Sequence, residues 1–158
     1  MNNIPITLTA IFLHLMFTAQ VFATNQMEPF GPYWIVVENQ DCQVQNPYPE
    51  PGETFTWSGG CVDGKAEGEG RLIWRSSYGS TETYEGGMKA GAFYGYGVLT
   101  WSGGRYEGEF RGRQAHGNGV ASYESGLEYA GEWRNGCFGD QNSVWATLGA
   151  TPEECGFE

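Results

Sequence analysis

The groups in this chain best suited to chemistry are its carboxylates. Glu85 and Glu107 lie 22 residues apart, and Glu109 and Glu132 lie 23 apart. Each sits in an alternating aromatic or glycine pattern that would bring the members of a pair onto one face of adjacent strands. Two carboxylates held together can split their pKa values, one serving as acid and the other as nucleophile or base, which is the equipment of a glycoside hydrolase. Lys89, Arg111 and Arg134 recur along the same pattern, so a charge-balanced solvated face is the plainer account. His116 is the one histidine beyond residue 23. No G-x-S-x-G motif accompanies it, and Ser122 follows a strand pattern that points away from its loop, so it reads as a structural loop residue. The glycine-rich run from Gly64 to Gly70 lacks the Gly-Lys-Ser/Thr ending of a phosphate loop. No EF-hand or nonapeptide calcium spacing occurs. Neither a cofactor nor a metal site is expected.

Cys42, Cys61, Cys137 and Cys155 are too widely spaced for the close pairs of a structural zinc site. An even number of cysteines in an exported chain makes two disulfides the default. Three pairings are open; 42 with 61 and 137 with 155 are favoured because each closes a loop near one end of the repeated region. Export itself is read from residues 2–27, which carry no charged side chain, and from the apolar run Ile4 to Phe17 ahead of Val21-Phe22-Ala23. That pattern marks 1–23 as a secretory signal peptide and the mature chain as periplasmic or extracellular. The formal net charge is −11. Such a surface repels phosphate backbones and anionic headgroups, so nucleic acid is excluded as a partner and membrane attachment is disfavoured.

These residues need strands to position them. In 24–54, Tyr33 to Val37 and Cys42 to Gln45 read as two short strands around the turn Glu38 to Asp41, a capping hairpin followed by the proline-rich linker Asn46 to Glu53. Beyond it a pattern repeats. Tyr84, Gly86, Gly95, Gly97 and Trp101 recur 22 residues on as Tyr106, Gly108, Gly117, Gly119 and Tyr123. They appear 27 residues earlier as Trp57, Gly59, Gly68, Gly70 and Trp74, and the first half returns at Tyr129, Gly131, Trp133 and Gly136. Alternation of period two within each copy signals strands with one buried face, so each unit reads as a hairpin with a loop of about five residues. Glycine at such regular places is explained if the rings of Tyr84, Tyr106 and Tyr129 lie flat across the neighbouring hairpin. Gly64, Gly91 and Gly112 would instead supply positive-φ turns. An expansion falls between Arg75 and Thr81, and Thr151-Pro152-Glu153-Glu154 has the chemistry of a helix start with room for a single turn.

The combination Y-x-G followed by spaced loop and strand glycines resembles the MORN repeat. The resemblance implies an all-β fold in which hairpins stack side by side into one elongated, single-layer antiparallel sheet. Its units would span about 55–80, 83–104, 105–126 and 127–146, with 147–158 as a C-terminal tail. Trp57 replaces the leading tyrosine of the first copy, and Arg113 stands where a loop glycine is expected in the third. The fourth loses a residue before Gly139 and reads as a cap, with Trp145 on the position of Trp74, Trp101 and Tyr123. The resemblance further implies a scaffolding or binding module, some relatives touching phospholipid, which the acidic charge disfavours here.

A single-layer sheet leaves its aromatic face open unless the N-terminal hairpin, with Tyr33, Trp34 and Ile35, covers it. An open groove would offer Tyr84, Trp101, Tyr106, Tyr123, Tyr129 and Trp133 to a protein partner, assisted by Glu107, Glu109 and, on the expanded loop, Tyr78. The rival expectation is a carboxylate-based hydrolase acting on cell-envelope glycans.

Overall fold

A computed structural model describes residues 33–140 and 143–155; the signal peptide expected over 1–23 lies outside them. The first two strands, β1 (Tyr33–Val36) and β2 (Gln43–Asn46), form the expected antiparallel hairpin with Ile35 opposite Val44. Its turn is docked: the side-chain amides of Asn39 and Gln40 each donate to the Trp57 carbonyl at 2.7 Å, and the Trp57 N–H donates to Asn39 Oδ1 at 3.0 Å. Next come β3 (Thr54–Trp57) and β4 (Gly60–Val62), interrupted at Ser58 and Gly59, both antiparallel to the long β5 (Lys65–Arg75). A meander follows through β6 (Thr81–Lys89), β7 (Ala92–Trp101), β8 (Gly104–Arg111), β9 (Gln114–Tyr123) and β10 (Glu128–Trp133). The only parallel contact among the described strands is Gln43 beside Lys65. The fourth unit departs from the pattern, because β11 (Cys137–Asp140) and β12 (Ser143–Thr147) pair in a small sheet of their own. The tail makes one 3-10 turn, Pro152–Cys155, closed reciprocally by Thr151 N–H on Glu154 Oε2 and Glu154 N–H on Thr151 Oγ1. The fold is thus the all-β, mostly antiparallel sheet that the repeat implies.

At one end of the sheet the hairpin loops hold two residues, not five. Asp63-Gly64, Ala90-Gly91, Gly112-Arg113 and Asn135-Gly136 all have φ between 48° and 85°, the paired left-handed conformation whose twist matches that of the flanking strands. The polar residues read as loop are in fact paired in the ladder. The third turn reverses the order, with glycine first and Arg113 at φ 73°, a conformation that costs a side-chain-bearing residue about 1 kcal/mol.

The paired glycines do clear space for rings. Gly86 faces Gly97 and Gly108 faces Gly119 in the ladder. A Cβ on Gly97 would sit 2.6 Å from Tyr84 Cε2, and one on Gly119 2.7 Å from Tyr106 Cε2. Each ring therefore lies over the partner strand of its own hairpin, a correction to the expected neighbour. The reason is reach: the Tyr84 hydroxyl donates to the carbonyl of Gly87, and that of Tyr106 to Glu109, three residues along the same strand. Tyr129 does not repeat the arrangement, since Gly131 faces Phe138.

The core gathers on this aromatic face. Phe93 stacks on Tyr84 at 3.8 Å, and Phe110 meets Tyr84, Phe93 and Tyr106 edge-on at 5.0–5.5 Å. Two segments cover it at the end with the two-residue turns. From β2, Gln43 and Gln45 donate to the Gly64 and Gly91 carbonyls, while Arg113 Nη1 donates to the Gln45 carbonyl. From the other side, Leu148 accepts from Ala115 and donates to Gly136. Disulfides Cys42–Cys61 and Cys137–Cys155, the favoured pairing, staple one segment each.

Candidate functional site

Along the strands the same face changes character. Near the two-residue turns it is sealed; near the loops 76–80, 102–103 and 124–127 it is not. Trp74, Leu99, Trp101, Tyr123 and Tyr129 pack on the core there while staying partly exposed. Their rings continue into a file: Trp101 to Tyr123 at 5.8 Å, Tyr123 to Tyr129 at 6.0 Å, Tyr129 to Phe138 at 5.7 Å and Phe138 to Trp145 at 5.8 Å. Every step is edge-on or tilted, the arrangement that ring quadrupoles favour. Trp145, 52 % exposed, ends the file.

The expected binding residues therefore divide. Trp101, Tyr123 and Tyr129 stand in the open file. Tyr84, Tyr106 and Trp133 do not offer themselves to a partner, because each is buried in the core. Burial pushes the Tyr84 phenol far above the ordinary tyrosine range and that of Tyr106 to about 12. Tyr78 is 90 % exposed on a loop closed by a 2.7 Å contact between the Ser76 and Ser80 hydroxyls. It stands at the open end, since this loop joins β5 to β6.

Glu107 and Glu109 face away from the aromatic side, on the outer face. Glu107 accepts from Tyr96 Oη at 2.7 Å and from Arg105 at 2.6 Å. The bond to Glu107 holds the Tyr96 phenol above its usual range. Glu109 accepts from the Asn118 N–H across its own hairpin. Glu85 pairs with Arg71 at 3.2 Å and Glu132 with Arg134 at 3.0 Å. The hydrogen bond from Arg134 holds Glu132 below the usual carboxylate range, the opposite of what a general acid needs. His116 Nδ1 accepts from the Asn135 N–H and so ties neighbouring turns together.

Sequence reasoning overlooked two residues. Trp145 stands on β12, in the small sheet outside the repeat ladder, and not on the repeat position of Trp101 and Tyr123; its ring nevertheless continues their file through Phe138. Arg113 was seen only as a departure from the loop glycine. It lies over the Phe93 ring at 5.0 Å beside a cleft of about 300 Å³ between the two covering segments, walled by Gln45, Tyr48, Leu99 and Leu148. Burial lowers its guanidinium to about 10, against the attraction of Glu82 and Glu53.

The MORN repeat profile matches four stretches of the chain, residues 58–77, 84–104, 106–128 and 129–136. No curated protein matches it.

Proposed function

The chain belongs to the MORN-repeat family, and from that premise we propose that it is an exported binding module which engages a protein partner through the open half of its aromatic face. The observation that carries this reading is the file from Trp101 to Trp145, five rings in continuous contact that stay partly exposed, the last two supplied by β11 and β12. Aromatic rings supply large contact area at little entropic cost, which is why they dominate protein interfaces. Two disulfides support a working place outside the reducing cytosol. The outer-face glutamates are spoken for by arginines, a tyrosine and a backbone amide, which favours binding over glycan hydrolysis.

Affinity capture from the exported fraction with the mature protein tests the reading. Trp101→Ala and Tyr123→Ala should lose the captured partner, whereas Tyr94→Ala and Tyr96→Ala on the outer face should retain it. Equal behaviour of the two pairs would sink it, as would turnover of a glycan panel that disappears in Glu107→Gln or Glu109→Gln.

A further inference from the structure

Glu82 is a strand residue of the aromatic face that the repeat does not explain. It shares its side of β6 with Tyr84, two residues on, and pairs in register with Trp74 on β5. On the other flank Thr83 faces Thr100, which sets Trp101 opposite Glu82. A carboxylate thus stands between two tryptophans on three adjacent strands, where side chains in register come within about 5 Å of one another at Cβ. The equivalent position of the next unit is Gly104, with the Trp101 ring packed over it.

This carboxylate makes no hydrogen bond and no ion pair within 4 Å with a described residue. Burial raises its pKa; Arg113 attracts it and Glu50 of the linker repels it. Arg113 is committed elsewhere, to the Gln45 carbonyl and the Phe93 ring. Trp74 is fixed by stacking on Phe55 at 5.4 Å, and Trp101 by its contact with Tyr123. Two tryptophans in register on either side of a carboxylate that makes no hydrogen bond, on a face still partly open to water, are the complement of a cation, which the aromatic residues and the negative charge attract together.

We propose that Trp74, Glu82 and Trp101 form a receptor for a cationic side chain, the lysine or arginine of a basic protein partner. The inference rests on the reading of the open aromatic face as the binding face and adds the chemistry of what it holds. The net charge of −11 steers such a partner towards the protein from a distance, and the receptor decides where it docks. A neutral or acidic partner would instead leave Glu82 desolvated and unpaired.

Titration of the mature protein with a decalysine peptide, followed by tryptophan fluorescence at about 0.15 M salt so that long-range attraction is damped, tests the proposal. Saturable binding is expected, lost when the lysines are acetylated and absent for decaglutamate. Glu82→Gln should weaken it about tenfold, the scale of one charge-assisted contact. Glu85→Gln, which removes the same charge from the outer face, should change it less than twofold. Far-UV circular dichroism of both variants checks that each is folded. Equal effects of the two substitutions, or no saturable binding, would overturn the receptor. If Trp101→Ala abolishes partner capture while Glu82→Gln behaves as Glu85→Gln does, the binding face stands and the cation receptor falls. If neither Trp101→Ala nor Glu82→Gln alters capture or titration, both readings fall.

Discussion

The two ends of the aromatic face are built from the same repeat and end differently. At the turn end, Tyr84, Phe93, Tyr106, Phe110 and Trp133 are buried in the core, and β2 and the segment around Leu148 are bonded across the turns. At the loop end, Trp74, Trp101 and Tyr123 occupy the matching positions of their units and stay half open. The difference lies in the covers and not in the repeat. Rings at the sealed end make stability, and rings at the open end are free to make contacts with something else. A single-layer sheet has no second layer to hide its apolar side, so each ring must be covered by the chain's own termini or stay available.

Truncating rings at each end gives the widest contrast. Phe110→Ala is expected to cost about 3–5 kcal/mol, as for large aromatic truncations in packed cores. Trp101→Ala should cost roughly 1–2 kcal/mol, because much of its surface is already in water. Urea unfolding measures both, and equal costs would erase the distinction between the ends. The staples come next. The disulfides span 19 and 18 residues, so each is worth roughly 3 kcal/mol in the chain-entropy view. Reductant should lower the melting temperature markedly, and hydrogen exchange should then quicken first at Gln43, Gln45 and Leu148. Unchanged melting would mean that the covers hold without their staples.

Smaller still is the test of the cleared space. Gly97→Ala meets the Tyr84 ring and should cost about 2–3 kcal/mol by overpacking. Gly126→Ala has nothing within 4 Å and only a φ of 86° against it, about 1 kcal/mol. A reversed order would show that glycine serves backbone freedom at both places. The finest effect concerns Glu82, whose pKa is raised chiefly by burial. The folded chain then holds this proton to higher pH than the unfolded chain, so stability falls as pH rises through the carboxylate range. Glu82→Gln removes that penalty. It should raise the melting temperature slightly at pH 7, with the gain shrinking as the pH is lowered below the range in which Glu82 ionises.

How far the sequence reached follows from the range of each cause. The need for space at Gly86, Gly97, Gly108 and Gly119 was legible because their spacing repeats, whereas the hairpin that each ring crosses was not, since it is set by the reach of the tyrosine hydroxyl. The cysteine pairing was legible because each bridge joins residues near one end. Turn length differs from the expectation since Gln114, Ala115 and His116 look like loop but belong to β9 and close the ladder up to the turn. The burial of Tyr84, Tyr106 and Trp133 depends on contacts between units, Tyr84 with Phe110 and Tyr106 with Trp133, which no single repeat announces. Glu82 fell between two repeat boundaries, at 80 and 83, although its parity with Tyr84 already put it on the aromatic side. The engagement of Glu107 by Tyr96 crosses from one unit to the next and had no local mark.

The third turn carries one more consequence. Through Arg113 it holds the carbonyl of Gln45, and one residue past β9's start Ala115 holds that of Leu148, so the two covering segments converge on the same hairpin. Most repeat arrays lengthen by duplication, because each unit asks only for a neighbour. Here a duplicated hairpin between the second and third units would add two strands, moving the ends apart by about 10 Å. The extra turn would then lie beyond the reach of either cover. The two covering segments thus match an array of this length, so that the fit depends on residues outside the repeats.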